Sequence, residues 1–148
     1  MEIFVQLLTA FLSSLGFSLI FRLRRGLLIP ASLGGLCSWA IYLFCCRYMA
    51  GVFAPCLAAA AFVALYAEVM ARVFRAPVTV FFLPGVIPLL PGSSLYYAMS
   101  AAVQRDWAAA RSYGSLTVLY SLAISAGMSL VWAVCVMAAR VRDRLLKR

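Results

Sequence analysis

The chain has 148 residues, of which 66% are hydrophobic and 11% charged, with no histidine and a formal net charge of +9. A mean hydropathy of +1.03 excludes an ordinary soluble domain, which needs more polar surface than four acidic and thirteen basic side chains supply. The basic residues lie in short clusters between apolar blocks and form no continuous face, which argues against nucleic acid as a partner.

The apolar blocks are about 20 residues long, enough to cross a hydrocarbon core of roughly 30 Å. Five of them nearly exhaust the chain. The expected fold class is therefore an all-α integral membrane bundle of about five transmembrane helices, the fourth broken by proline and glycine. Residues 1–148 form a single transmembrane domain in the lipid bilayer on this reading. The first span covers about 3–21; it opens without a basic n-region, reaches no clear small-x-small cleavage site, and reads as a retained span. It ends at Arg22-Leu23-Arg24-Arg25. The second covers about 27–46 and stops at Arg47, and the third covers about 52–71, followed by Arg72 and Arg75. The fourth, about 78–103, precedes Gln104-Arg105-Asp106 and Arg111. The fifth, about 113–139, runs into a basic tail at 140–148.

Lysine and arginine on alternate sides set the orientation. The first loop, third loop and tail together carry ten, and the opposite side carries Arg47, Arg105 and Arg111. The expectation is an N-terminus outside and a cytoplasmic C-terminus. A re-entrant fourth segment would carry the tail outward against this bias, so a true but broken crossing is preferred.

In lipid, helices associate through close backbone approach, which small residues at four-residue spacing allow. Such stripes are Ala10, Ser14 and Ser18; Gly34 and Ser38 beside Ala31 and Gly35; Ala60 and Ala64; and Ser121, Ser125, Ser129 and Ala133. Each reads as a helix-packing face, with a polar translocation surface the alternative for the fifth-span serine stripe, so a partner or self-association is expected as well. The five cysteines at 37, 45, 46, 56 and 135 have no CxxC spacing, which fits small buried hydrophobes and points to no metal and no cofactor.

Residues 76–103 carry the most information. Pro84, Pro88 and Pro91 each lack an amide donor, and Gly85 and Gly92 add backbone freedom beside them. Orphaned carbonyls in hydrocarbon cost several kcal/mol each unless protein or a water-filled cavity covers them. Discontinuous helices of this kind build transporter binding sites. Ser93 and Ser94 stand where they can cap the amides of a new helix, whose positive end favours an anionic group such as a carboxylate. Tyr96 and Tyr97 stand one turn in as hydroxyl donors or an aromatic wall. The candidate pathway is thus Pro84, Gly85, Pro88, Pro91, Gly92, Ser93, Ser94, Tyr96 and Tyr97. Glu68 is the one acid inside a span and the proton-coupling candidate; its place one turn before Arg72 equally fits a helix-end ion pair.

The run from Glu68 through Arg75-Ala76-Pro77 to Ile87-Pro88-Leu89-Leu90-Pro91-Gly92-Ser93 and Tyr96 resembles the threonine/serine exporter family. It looks most like the short subunit of the split, two-gene form. The resemblance implies a secondary transporter of the bacterial plasma (inner) membrane, driven by the proton gradient. It also implies action with a larger multi-span subunit. The implied substrate is a small carboxylate-bearing molecule: an amino acid, threonine or serine, or a dicarboxylate of the succinate type. Pro88, Pro91, Gly92 and Ser93 are the motif positions carried over. Some relatives have a histidine in the second span; this chain has Gly34-Gly35-Leu36-Cys37 there, so no imidazole step is carried over.

Two other classes compete. A membrane enzyme needs a constellation of acids or histidines at depth, and Glu68 alone does not supply one. An accessory protein that stabilises a partner without touching substrate remains the alternative reading.

Overall fold

The structure is a computed structural model that describes residues 2–146 and, beyond Ala138, only the Arg140 side chain. Lys147, Arg148 and the other side chains of the basic tail lie outside the described residues. The described chain is helical throughout, without strands: α1 (Glu2–Ile20), α2 (Arg25–Tyr48), α3 (Phe53–Phe74), α4 (Thr79–Val86), a 3₁₀ turn (Ile87–Leu89), α5 (Gly92–Val103) and α6 (Trp107–Leu146). Four helices are long and apolar enough to cross a membrane, and the α4–α5 pair, bent by 54°, makes a fifth if the two together form one span.

Three helices end in one device. Arg22, Arg75 and Arg105 adopt positive φ after α1, α3 and α5. The next amide reaches back across the last turn: Leu23 N–H to Ser18 O, Ala76 N–H to Ala71 O, and Asp106 N–H to Ala101 O. The left-handed residue closes the orphan carbonyls, and a cation there suits the negative helix end. The sequence pattern places the start of the last span near Tyr113, yet α6 begins at Trp107. The Asp106 carboxylate accepts from the Ala109 amide at 3.1 Å, an N-cap that extends the helix beyond its apolar part.

The core is built of small side chains. Ala59, Ala60 and Val63 of α3 pack with Val86 and Leu89, and Ala31, Ala67 and Ala71 pack around the fully buried Phe81. The small-residue stripes on α1, α2 and α3 face inward: Ala10, Ser14 and Ser18, then Ala31, Gly34, Gly35 and Ser38, then Ala60 and Ala64 are all buried. At Gly35 a Cβ would lie 1.8 Å from Ser14 Oγ and 3.3 Å from Pro84 O, so α1, α2 and α4 meet backbone-close there.

The fourth stripe departs from expectation. Ser121, Ser125, Ser129 and Ala133 are exposed, and Ser121 and Ser125 turn their hydroxyls to carbonyls of their own helix. The inward face of α6 is Ala123 and Gly127 instead. A Cβ on Gly127 would stand 2.7 Å from Leu57 O, which marks where α6 lies tightest on α3. The cysteines also depart in part: Cys56 is buried, but Cys46 is exposed.

Candidate functional site

The break in the fourth span is narrower than its prolines suggest. Pro84 and Gly85 stay helical within α4, and the helix tightens to 3₁₀ geometry only at Ile87 before Leu90 becomes extended (φ −64, ψ 133). Pro88 deprives Pro84 O of its helical donor, and Pro91 does the same for Ile87 O. Ile87 O recovers a bond from the Leu90 amide at 3.2 Å. Just before the break, Ser38 Oγ of α2 lies 2.9 Å from Gly85 O and 2.8 Å from Gly35 O, sharing one proton between them. Neighbouring helices therefore cover the irregular backbone on the α4 side, as a bilayer requires.

On its other side the break faces a crevice of about 400 Å³. Pro88, Pro91, Ser93, Ser94 and Tyr97 line it from the broken span. Trp39 and Tyr42 close it from α2, and Tyr113 and Tyr120 from α6. The Tyr42 and Tyr120 hydroxyls meet at 2.9 Å and join α2 to α6. The Tyr97 and Tyr113 rings lie 5.5 Å apart, and Trp39 stacks on Tyr42 at 5.1 Å. Aromatic rings thus frame a space whose polar groups are hydroxyls and main chain. Among the described residues, no charged side chain lines it.

The first amides of α5 open at this crevice, and the expected serine cap is not made. No side chain caps α5. Ser94 Oγ donates instead to Pro91 O at 3.1 Å and accepts from Thr117 Oγ1 at 3.2 Å. The hydroxyl prefers these partners because Pro91 O sits within its reach at i−3. The Gly92 amide turns back to Leu90 O at 2.8 Å and the Leu95 amide to Pro91 O at 3.0 Å. Among the described residues, the amides of Ser93 and Ser94 have no hydrogen-bond partner. The two amides stand at the positive end of a helix, where an anion is favoured. On the α2 side, the indole Nε1 of Trp39 is buried and also unpartnered.

Of the residues expected at the pathway, five share this crevice. Pro84 and Gly85 lie apart from it, buried against α2 and α3, where a Cβ at position 85 would lie 2.9 Å from Val63 Cγ1. Gly92 is exposed with nothing within 4 Å of a built Cβ. Tyr96 is exposed and meets Tyr97 edge-on at 5.6 Å. Glu68 is elsewhere: Arg72 Nη2 donates to its Oε1 at 2.7 Å, and the carboxylate borders a separate, mostly apolar cavity beside Met128 and Trp132. Among the described residues, no group of three or more His, Cys, Asp or Glu is placed to hold a metal ion.

Trp39, Tyr42, Tyr113 and Tyr120 are the site residues that the proline-centred reading passes over. A signal for them exists in the sequence. Tyr113, Thr117 and Tyr120 recur at i, i+4 and i+7 along an apolar helix, so their polar atoms share one face. Trp39 and Tyr42 do the same one turn apart.

No curated protein and no solved structure matches the chain. A family model described as "Threonine/Serine exporter, ThrE" matches residues 6–134. The chain therefore belongs to the threonine/serine exporter family, a family of membrane transport proteins.

Proposed function

We propose that the crevice beside Pro88–Ser94 is the substrate-binding part of an export pathway for small carboxylate-bearing metabolites. Threonine, serine and succinate-type dicarboxylates are the candidate substrates. The observation that carries this reading is the pair of unpartnered amides at Ser93 and Ser94, opening on a cavity without a charged side chain. A carboxylate placed there accepts from donors that nothing else uses, and tyrosine rings surround its carbon skeleton. Export is coupled to the proton gradient on this reading, and Glu68 takes no part in the conformation described, because its carboxylate is committed to Arg72.

The protein acts in the inner membrane of a bacterium, with its N-terminus outside and its basic tail in the cytoplasm. It works as the short subunit beside a larger multi-span partner of the same family. The outward serine stripe on α6 supports a further helix at that face, supplied by the partner or by a second copy. The accessory reading competes at the same point, since α5 buries none of its residues in this chain.

Two measurements separate the readings. In a background with all five cysteines replaced, Ser93→Cys should react with a polar thiol reagent, and substrate should slow the reaction. Silence from both membrane faces overturns the pathway. Efflux of labelled serine, threonine and succinate from cells expressing this chain with its partner then identifies the substrate. Unchanged efflux in Ser93→Trp, with the complex assembled, assigns an accessory role.

A further inference from the structure

The α1–α2 and α3–α4 turns come together at one end of the bundle and enclose an open cavity of about 590 Å³. Its lining has two chemistries. Arg22, Arg24 and Arg75 bring three guanidinium groups, while Leu27, Phe74 and Val80 bring hydrocarbon. Among the described residues, no acidic side chain borders the cavity. The one ion pair among the described residues joins Arg72 to Glu68 and uses none of the three.

We propose that this cavity binds the phosphodiester headgroup of an anionic phospholipid. Three cations around one concavity, without a counter-ion, repel one another until an anion joins them. Guanidinium presents a planar fork of donors that matches phosphate oxygens two at a time. The site lies at helix ends, where headgroups sit, and basic pockets between transmembrane helices are suited to such lipids. Leu27, Phe74 and Val80 decide between the two sources of phosphate: a soluble ion has no use for them, whereas the glycerol and first methylenes of a lipid do. Topology by itself requires positive charge in these loops but no cavity. Arg25 supplies the comparison, because it is exposed at the first position of α2, beside the same turn, and does not line the cavity.

The test is native mass spectrometry of the full chain in detergent, titrated with phosphatidylglycerol and, separately, with phosphatidylcholine. Phosphatidylglycerol should be retained in preference. Arg24→Gln with Arg75→Asn should weaken its retention roughly 30-fold, at about fivefold per arginine, while Arg25→Gln leaves it unchanged. Asparagine is chosen at position 75 because φ there is 50° and Asn tolerates the left-handed region. Equal loss in Arg25→Gln, or equal retention of the two lipids, overturns the proposal. Millimolar inorganic phosphate should compete with phosphatidylglycerol; binding of inorganic phosphate without any lipid retention assigns a soluble anion and overturns it too. Should the neutral pair lose helicity by circular dichroism, Arg24→Lys with Arg75→Lys decides. That pair keeps the charge and loses the forked donors, so retention falls if the site exists and is unchanged if it does not.

Discussion

The Ser38 hydroxyl of α2 lies 2.9 Å from the Gly85 carbonyl of α4, two residues ahead of Ile87, where the fourth span stops being an α-helix. Gly85 O sits where the helical ladder begins to fail, and a side chain from another helix reaches it. Ser38→Ala should lower stability by about 1 kcal/mol, the cost of leaving a buried carbonyl without this donor. Unfolding from mixed micelles by a denaturing detergent measures it. Because Ser38 lies outside the crevice lining, substrate affinity in the folded fraction should be unchanged.

A steeper effect is expected one turn earlier on α2. A Cβ at Gly35 would fall 1.8 Å from Ser14 Oγ and 2.7 Å from Ser14 Cβ. Neither a backbone atom of α4 nor the short Ser14 side chain can move far enough to admit it. Gly35→Ala should therefore destabilise by about 1–3 kcal/mol through overpacking. Ser14→Gly removes both clashing atoms, and the double variant should recover most of the loss. A double-mutant cycle with no recovery would show that α1 does not meet α2 at this point.

Much of this packing was legible beforehand, and the reason is physical. In lipid the helices that touch are those whose small residues line up every four positions. The buried set of α1 is Ala10, Ser14 and Ser18, and that of α2 includes Gly34, Gly35 and Ser38, which is the pattern the residues display. The α6 stripe shows where the rule stops. Ser121, Ser125 and Ser129 have the same spacing, but spacing identifies a face suited to contact and not whether the contact lies in this chain. Ala123 and Gly127, a shorter run of the same kind, hold α6 to α3 instead. At the site, proline chemistry located the break, while the opposite wall was hidden because Trp39, Tyr42 and Tyr120 come from distant segments that only the fold assembles. The serine cap was misjudged because Pro91 O competes for the Ser94 hydroxyl.

Gly92 distinguishes a steric role from a functional one. No atom stands within 4 Å of the position a Cβ would take, and its φ is not in the left-handed region. Gly92→Ala should express, assemble and melt like the parent protein. Efflux should nevertheless fall if substrate approaches the α5 amides closely, because the added methyl stands beside them. Normal efflux in Gly92→Ala would place substrate farther from the start of α5.

Glu68 tests the proposed proton coupling. Its pairing with Arg72 at i,i+4 is partly exposed, with 27% of the Glu68 side chain accessible, and such pairs contribute little to stability. Glu68→Gln should leave folding intact. Efflux driven by an imposed proton gradient should persist, since the carboxylate borders a different cavity from the one lined by Ser93 and Tyr97. Loss of gradient dependence with retained downhill efflux would return Glu68 to the role of proton carrier.

Trp39 makes two expectations of opposite sign. Its indole N–H is buried without a partner, while its ring stacks on Tyr42 and packs against the Ala59–Leu89 core. Trp39→Phe keeps an aromatic ring there and removes the unpaired donor. An unpaired buried donor costs stability, so the substrate-free variant should be as stable as the parent or more so. If the N–H is held for substrate, the same change should weaken binding by about 1 kcal/mol, or roughly fivefold in half-saturating substrate concentration. Stability and affinity then move apart in one variant, which a merely structural tryptophan cannot produce: loss of its packing would lower both together. Thermal melts paired with concentration-dependent efflux, measured on the same preparation, read the two signs.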